Sequence, residues 1–229
     1  MSDENVDSIW KITPEPADWA ALDADALLGS DWATVQSLPP FTRSDGSAEA
    51  TFQTTVKLVA SGKRLCVRFD CDDPDIWATM TERDDPIYEE EVVELFLSAG
   101  DADPNPKEYF EFEVSPDGVL FDATISNPDS DRATMKGDAA WNCPGIGWGA
   151  KRLDAEHRWS AIIVIPWAGL GCDQHGPPHH WRANFFRIER PRGKEPEYSC
   201  WKPTMVSPAD FHKPASFGHL LLPQQDEQP

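Results

Sequence analysis

The sequence predicts an all-β fold, a single-domain antiparallel β-sandwich of jelly-roll-like type with a short N-terminal helix. Three observations predict it: roughly ten short segments alternate apolar and polar residues, turns rich in Pro and Gly separate them, and one stretch near the start is helical in pattern. The 229 residues suffice for one complete core and contain no internal repeat or linker. We expect the sandwich to cover residues 5–223, with a disordered tail over residues 224–229.

The helical pattern comes first along the chain. It covers residues 17–28, directly after Pro16, and Gly29 can end it. The pattern then changes to period two, and two turns, at residues 61–63 and 116–118, join neighbouring strands. The predicted strands are residues 51–60, 65–72, 92–97, 108–115, 119–125, 149–153, 159–165, 181–189, 197–201 and 217–222.

The strand at residues 92–97 carries a carboxylate among apolar neighbours. Period-two geometry puts Glu94 and Phe96 on one face and the remaining apolar side chains on the other. An unpaired buried charge costs on the order of several kcal/mol, so Glu94 must find partners or face a wet, concave surface. Tyr88 lies just before the strand, where its ring can flank what Glu94 faces. A carboxylate beside an aromatic wall suits a polar, ring-shaped ligand such as a sugar.

Two more glutamates share one face of the strand at residues 108–115. If this strand neighbours the Glu94 strand, Glu111 and Glu113 complete a surface of three carboxylates, with Arg187 available nearby. That surface is either a hydrogen-bonding floor for a polyol or a solvated sheet face balanced by ion pairs. Trp77, in a polar loop, is a candidate for a further ligand-facing ring.

The charge of the chain narrows the possible partners. Lys and Arg number 20 and Asp and Glu number 40, which gives a net charge of −20. Such a surface repels the phosphates of nucleic acids and of anionic membranes, so we expect neither as a partner. The N-terminal residues have no signal-peptide pattern, which predicts a cytoplasmic protein as written, or an extracellular or periplasmic one if the N-terminus is trimmed.

Motifs of catalysis and of metal binding are weak. The GxSxG, HExxH and P-loop patterns are absent, and a glycoside hydrolase would need two carboxyls at a defined separation, so we expect a protein without enzymatic activity. Five cysteines without CxxC spacing argue against zinc.

Calcium is a candidate cofactor, because residues 101–105 resemble the first half of an EF-hand loop and four aspartates crowd one turn: Asp70, Asp72, Asp73 and Asp75. The histidine-rich run at residues 175–180 is predicted to be an ordinary surface loop.

The order and spacing of five segments resemble the family 9 carbohydrate-binding modules and their relatives. The segments are LCVRFDCDDP (65–74), YEEEVVELFL (88–97), YFEFEVSP (109–116), WRANFFRIER (181–190) with WKPT (201–204), and DFHKPASFGHL (210–220). The resemblance implies a β-sandwich that grips a sugar, often at a chain end, between two aromatic rings, with charged and amide side chains around its hydroxyl groups. It also implies that calcium is a structural ligand in some members.

The resemblance assigns roles to particular residues. Tyr88 and Phe211 fall where the family has its two sandwiching aromatics, which are typically tryptophan, so both offer less stacking area here. Glu94 matches the ligand-facing acid of the family. Glu113 falls where some members carry a basic residue, and Arg187 lies on the strand that contributes an amide or a base.

Two alternatives to sugar binding remain at this point. One is a haem-binding or redox sandwich of the related DOMON type, for which Met80, His212 and His219 are the candidate axial ligands. The other is an interaction domain whose sugar slot has decayed, as the smaller aromatic rings would allow.

Overall fold

The computed structural model describes residues 9–100, 103–172 and 176–224, and in this part of the chain strands dominate. The helical elements are short: α1 (Ala24–Leu28) and 3-10 turns at Ala17–Trp19, Ile87–Glu89, Asp154–Glu156, Trp167–Leu170 and Pro214–Ser216. The strands are β1 (Trp10–Lys11), β2 (Thr13–Pro14), β3 (Thr42–Arg43), β4 (Thr54–Ala60), β5 (Arg64–Asp72), β6 (Val92–Ala99), β7 (Glu108–Val114), β8 (Leu120–Ser126), β9 (Lys136–Asp138), β10 (Gly147–Leu153), β11 (Arg158–Pro166), β12 (His180–Glu189), β13 (Glu197–Cys200) and β14 (Gly218–Leu221).

The strands form two sheets that pack as a sandwich. The first sheet has the order β1-β14-β12-β6-β7-β8-β9, with β13 pairing both β12 and β3, and the second has the order β10-β11-β5-β4-β2. The prediction of a β-sandwich is confirmed. Most pairs are antiparallel, but β1 with β14 and β2 with β4 are parallel, so both sheets are mixed. These parallel pairs are two residues long and lie at sheet edges, too short to leave a periodic pattern in the sequence.

The main core fills the space between the sheets. Its members include Phe69, Phe185 and the inward side chains of β6. Trp159, Trp167 and Trp181 are fully buried in it, and the rings of Trp167 and Trp181 stack with centroids 5.0 Å apart. Trp141 is half-buried against the same core. Aromatic burial of this extent gives the sandwich a rigid base.

A second apolar cluster lies on the outer face of the first sheet. It contains Phe96, Tyr109, Phe186, Phe211 and Phe217. The ring of Phe96 contacts the ring of Phe186 at 4.9 Å and that of Tyr109 at 5.6 Å. Loops and 3-10 turns cover this face, so β6 and β12 are buried on both sides. A cavity lies between this outer face and the loops that cover it.

The predicted N-terminal helix is shorter than expected. Helix α1 begins at Ala24 because Asp23 is its N-cap and accepts a hydrogen bond from the backbone N–H of Ala26 at 2.9 Å. The preceding residues form the separate turn at Ala17–Trp19. Some of the predictions concern residues outside the described ranges: the tail beyond residue 224, residues 101 and 102 of the EF-hand-like segment, and His175. Across those described ranges, no helix has the length and apolar character that a bilayer crossing requires.

Candidate functional site

A cavity of about 580 Å³ opens on the outer face of the first sheet. Three glutamates of β6 and β7 form its floor, and Tyr88 and Phe211 stand among its walls. The alternation of β6 explains the floor, because Phe96 packs into the outer cluster while the inward neighbours of Glu94 join the main core. The predicted division of this strand into two faces is confirmed.

Strand pairing brings the three carboxylates together. Glu94 of β6 lies directly opposite Glu113 of β7, and Glu111 is two residues away on the same face. Carboxylate oxygens of all three lie within 4.8 Å of one another. The exposed fractions are 2% for Glu94, 6% for Glu111 and 0% for Glu113. The three therefore form a buried group rather than the solvated sheet face that was the alternative.

Burial and mutual repulsion raise the pKa of each carboxyl. Desolvation raises the pKa of Glu111 to about 7. The pKa values of Glu94 and Glu113 lie well above the ordinary range, chiefly through burial and then through the charge of the neighbouring glutamates. Glu111 and Glu113 are close enough to share a proton. At neutral pH the three carboxyl groups therefore favour protonated forms over full ionisation.

The two predicted aromatic walls differ in their surroundings. Tyr88 is 42% exposed, and its ring meets Phe121 edge-on with centroids 5.6 Å apart, which leaves ring surface free for a ligand. Phe211 is only 6% exposed, and one ring face is covered by Phe186 at a centroid distance of 4.3 Å and an angle of 19°. Tyr88 is the accessible wall, and Phe211 is anchored in the outer cluster.

His212 lines the cavity beside the carboxylate floor. Its Nδ1 lies 2.8 Å from the hydroxyl oxygen of Tyr109, and its Nε2 lies 3.9 Å from an oxygen of Glu111. Burial, reinforced by the positive charge of Arg132, lowers the pKa of His212 to about 4, so the ring is neutral at pH 7. Sequence reasoning considered His212 only as a haem ligand. Of the three candidate haem ligands, His212 lines the cavity, whereas Met80 and His219 are not among its described lining residues.

Two arginines reach the rim of the cavity. Arg132 pairs with Asp210 at 2.8 Å, and Arg190 donates to the backbone oxygen of Tyr88 at 3.3 Å and lies over the ring of Tyr198. The sequence does not single out Arg132, Arg190 or Tyr198 as members of the site. Arg132 lies in the loop between β8 and β9, and no local pattern indicates that this loop reaches the cavity.

Arg187 occupies the opposite face of its strand, which corrects its predicted placement. Successive side chains of β12 alternate between the two faces, so Phe186 and Ile188 lie on the outer face, and Ile188 lines the cavity. Arg187 is fully buried between the sheets, where it bonds to Asp73 at 3.0 Å, to the backbone oxygen of Asp72 at 2.8 Å and to Glu189. It does not line the cavity.

Trp77 is also absent from the cavity lining among the described residues. Its indole N–H donates to the backbone oxygen of Arg190 at 2.6 Å, and the backbone N–H of Trp77 donates to Glu91. These bonds hold the half-buried ring beside the end of β12. They indicate that Trp77 contributes to the structure and does not contact a ligand in the cavity.

A second buried group of carboxylates surrounds Arg187. Oxygens of Asp73, Glu91 and Glu189 lie within 4.8 Å of one another. Desolvation raises the pKa of Glu91 to about 9 and that of Glu189 to about 7. Such a set of oxygens can surround a cation, but Arg187 already supplies the positive charge there.

The four aspartates behind the calcium prediction do not converge. Asp70 pairs with Arg68 at 2.8 Å, Asp72 with Arg158 at 3.5 Å, and Asp75 with Arg192, while Asp73 turns inward. Each of the outer three has its own arginine. Calcium at this turn therefore stays a prediction.

Fold and site together define a class of protein: a β-sandwich with an aromatic-walled, acidic cavity on the outer face of one sheet. The chain belongs to carbohydrate-binding family 9, whose sequence model matches residues 46–222. The predicted resemblance is confirmed.

Individual relatives agree with this assignment. An extracellular protein of Arthroderma benhamiae is 30% identical over 177 residues, which cover 74% of this chain and 78% of the relative. A candidate carbohydrate-binding protein from Bacteroides uniformis has a similar structure, with a TM-score of 0.75 at 17% identity over 94% of this chain and 99% of the other. A family 9 carbohydrate-binding module from Caldicellulosiruptor kristjanssonii, solved with glucose and with cellotriose, has a TM-score of 0.64 at 13% identity. The glucose complex aligns over 97% of this chain and 99% of the module, and the cellotriose complex over 97% and 98%.

Proposed function

We propose that this protein binds a carbohydrate without catalysis, in the cavity over Glu94, Glu111 and Glu113. The observation that carries the proposal is the combination of an exposed aromatic ring, Tyr88, with three buried carboxylates in one cavity of a family 9 chain. The module from Caldicellulosiruptor kristjanssonii, which shares the fold, was solved with glucose and with cellotriose. That neighbour supports a sugar as the ligand class.

The chemistry of the cavity suits a sugar ring. The C–H groups of a sugar face pack against an aromatic ring, and Tyr88 presents free ring surface for that contact. Hydroxyl groups donate to carboxylate oxygens, which the floor offers in excess. Arg132 and Arg190 at the rim can donate in return. In this arrangement Phe211 supports the cavity wall through its stack on Phe186.

The position of the acids favours binding over hydrolysis. A glycoside hydrolase places its two carboxyl groups on either side of the scissile bond, about 5 Å or more apart. Here all three carboxylates project from the same face of one sheet, with oxygens within 4.8 Å of one another. A sugar resting on this floor has acids on one side only. We therefore propose a binding role and no hydrolytic one.

Location is a further part of the proposal. The Arthroderma benhamiae relative is an extracellular protein, and this supports an extracellular location over the cytoplasmic one that the N-terminal residues predict. Fractionation of the source organism, with immunodetection of this chain in the medium and in the cell extract, tests the point. Recovery from the cell extract alone would contradict it.

Calorimetric titration of the protein with glucose and cellotriose tests the proposed function, followed by a glycan array to identify the preferred sugar. We expect saturable binding with one site per chain, and no release of reducing sugar on prolonged incubation with oligosaccharides. An interaction domain with a decayed slot would bind neither these sugars nor any on the array. A haem-binding sandwich would instead develop Soret absorbance when haem is added.

A further inference from the structure

Glu113 is the most unusual residue of the cavity. It is fully buried, and neither of its carboxylate oxygens receives a hydrogen bond from an N–H or hydroxyl group of the described residues. It lines the cavity at the centre of the sheet, directly opposite Glu94. A buried carboxylate without a donor is costly, because it loses its hydration without replacement. Its position in an open cavity indicates that the missing donor comes from the ligand.

The basic groups around the cavity do not neutralise this floor. Within the described ranges, no ion pair joins Arg132 or Arg190 to any of the three glutamates, since Arg132 pairs with Asp210 and Arg190 bonds to the backbone at Tyr88. His212, the nearest basic side chain to Glu111, is 3.9 Å away and neutral at pH 7. The charges of Arg132 and Arg190 lower the pKa of Glu94, but burial and the charge of Glu111 raise it more. The floor is therefore a concentration of acidic groups that a cation entering the cavity would hold in their charged form.

We propose that the ligand is a positively charged sugar, an amino sugar with a free ammonium group that sits among Glu94, Glu111 and Glu113. This inference rests on the proposed function, because it specifies the sugar class of the same cavity. An ammonium group has three N–H donors and one positive charge, which matches three carboxylates whose oxygens lie within 4.8 Å of one another. A charge-assisted hydrogen bond is stronger than a neutral one, and more so in a buried site.

Other ligand types match the cavity less well. A neutral sugar supplies donors but no positive charge to stabilise the ionised carboxylates, and an acidic sugar disfavours their ionisation further. A bare metal ion would satisfy the carboxylates but makes no use of the exposed ring of Tyr88 above them. An amino sugar engages both, with its ring on Tyr88 and its ammonium group on the glutamates.

Calorimetric titrations at pH 7 test the inference with matched sugars: glucosamine, galactosamine and mannosamine, their N-acetyl forms, and the parent neutral hexoses. Acetylation removes the charge and keeps the ring, so each pair isolates the ammonium group. We expect at least one free amine to bind tenfold or more tightly than both its N-acetyl form and its neutral parent. Equal binding of amine and neutral sugar would overturn the inference and leave the proposed function standing. Absence of binding by every sugar, including those of the glycan array, would overturn both.

The Glu113→Gln variant, which keeps the shape of the side chain, localises the effect. We expect it to reduce the preference for the free amine at least fivefold while binding of the neutral hexose changes little. Glu89→Gln is the matched control, because Glu89 is exposed, lies next to Tyr88 and is outside the cavity lining. Glu111→Gln serves as a second cavity variant if Glu113→Gln melts at a much lower temperature than the parent protein. An unchanged preference in a folded cavity variant, or calcium binding to the parent protein that amino sugars fail to displace, would overturn the inference.

Discussion

At the residue scale, Tyr88 and Phe211 play different parts although the sequence predicts a symmetrical pair. The exposure of Tyr88 makes it the ring whose removal affects binding alone. We expect Tyr88→Ala to weaken sugar binding by about 1 to 3 kcal/mol through loss of aromatic contact, with an unchanged melting temperature. Tyr88→Phe, which keeps the ring, is the control and should bind nearly as the parent protein does. Calorimetry and thermal melts check this, and wild-type affinity in Tyr88→Ala would contradict it.

Phe211 is expected to matter for stability as well as for binding. Its ring is 6% exposed and stacked on Phe186, so Phe211→Ala removes a core contact and leaves a cavity. We expect a loss of about 3 kcal/mol in the free energy of unfolding, measured by urea denaturation. The sequence alone cannot show that Phe186 lies beneath the ring of Phe211. Unfolding at the same urea concentration as the parent protein would contradict a structural role for Phe211.

At the element scale, the face on which a side chain lies could be predicted for strands with one polar and one apolar face. Strand β6 places a single carboxylate among apolar residues, so the face of Glu94 follows from the sequence. Strand β12 is buried along nearly its whole length, and its faces cannot be told apart by polarity. For that reason Arg187 was expected in the cavity, whereas Ile188 is the β12 residue that lines it. The short edge strands β1, β2, β3 and β9 leave too few residues for a pattern.

The corrected position of Arg187 predicts a structural role for β12. Arg187→Ala leaves the buried carboxylates of Asp73 and Glu189 without their counter-charge, so we expect a loss of about 3 to 5 kcal/mol in the free energy of unfolding. The cavity lining is untouched, so whatever protein remains folded should bind sugar with parental affinity. Urea denaturation and calorimetry measure the two effects. A stable variant that no longer binds would place Arg187 at the ligand after all.

At the scale of the whole molecule, the buried acids govern the response of stability to pH. The folded pKa of Glu91 is about 9 and that of Glu189 about 7, above the ordinary value of 4.5. The folded protein therefore keeps protons that the unfolded chain has released, and stability falls as pH rises from about 4.5 to about 9. His212 acts in the opposite sense, because its folded pKa of about 4 removes stability as pH falls below about 6.5.

We accordingly expect the melting temperature to fall between pH 7 and pH 9, by the equivalent of about 1.4 kcal/mol per pH unit for each carboxyl group that stays protonated in the folded protein. The Glu91→Gln variant removes the carboxyl with the higher pKa of these two and should show a shallower fall. Thermal melts of both proteins across this range, at constant ionic strength, provide the measurement. A melting temperature that rises with pH, or the same slope in both proteins, would contradict the assignment.

The β-sandwich was predictable because alternating apolar and polar residues and turns rich in Pro and Gly recur along the chain. The cavity depends instead on contacts between separate segments. Glu94 and Glu111 are close in sequence, and the assumption that β6 and β7 are neighbouring strands was enough to predict that the two side chains lie together. Arg132 and His212 approach from separate loops, and no local pattern carries that information. The net charge of −20 predicts that nucleic acids and anionic membranes are not partners, but it does not indicate that three acids are buried together.

The central claim, that Glu94 faces the ligand rather than stabilising the fold, is tested most directly by calorimetric titration of Glu94→Gln with the best-binding sugar. The substitution keeps the shape and one acceptor but removes the acid that a bound ligand can hold in its charged form, so we expect affinity to fall several-fold, equivalent to about 1 kcal/mol or more. The melting temperature should stay the same or rise, because the variant also removes repulsion from Glu111 and Glu113. A loss of stability of more than about 1 kcal/mol with parental affinity would show Glu94 to be a structural residue and would contradict the account.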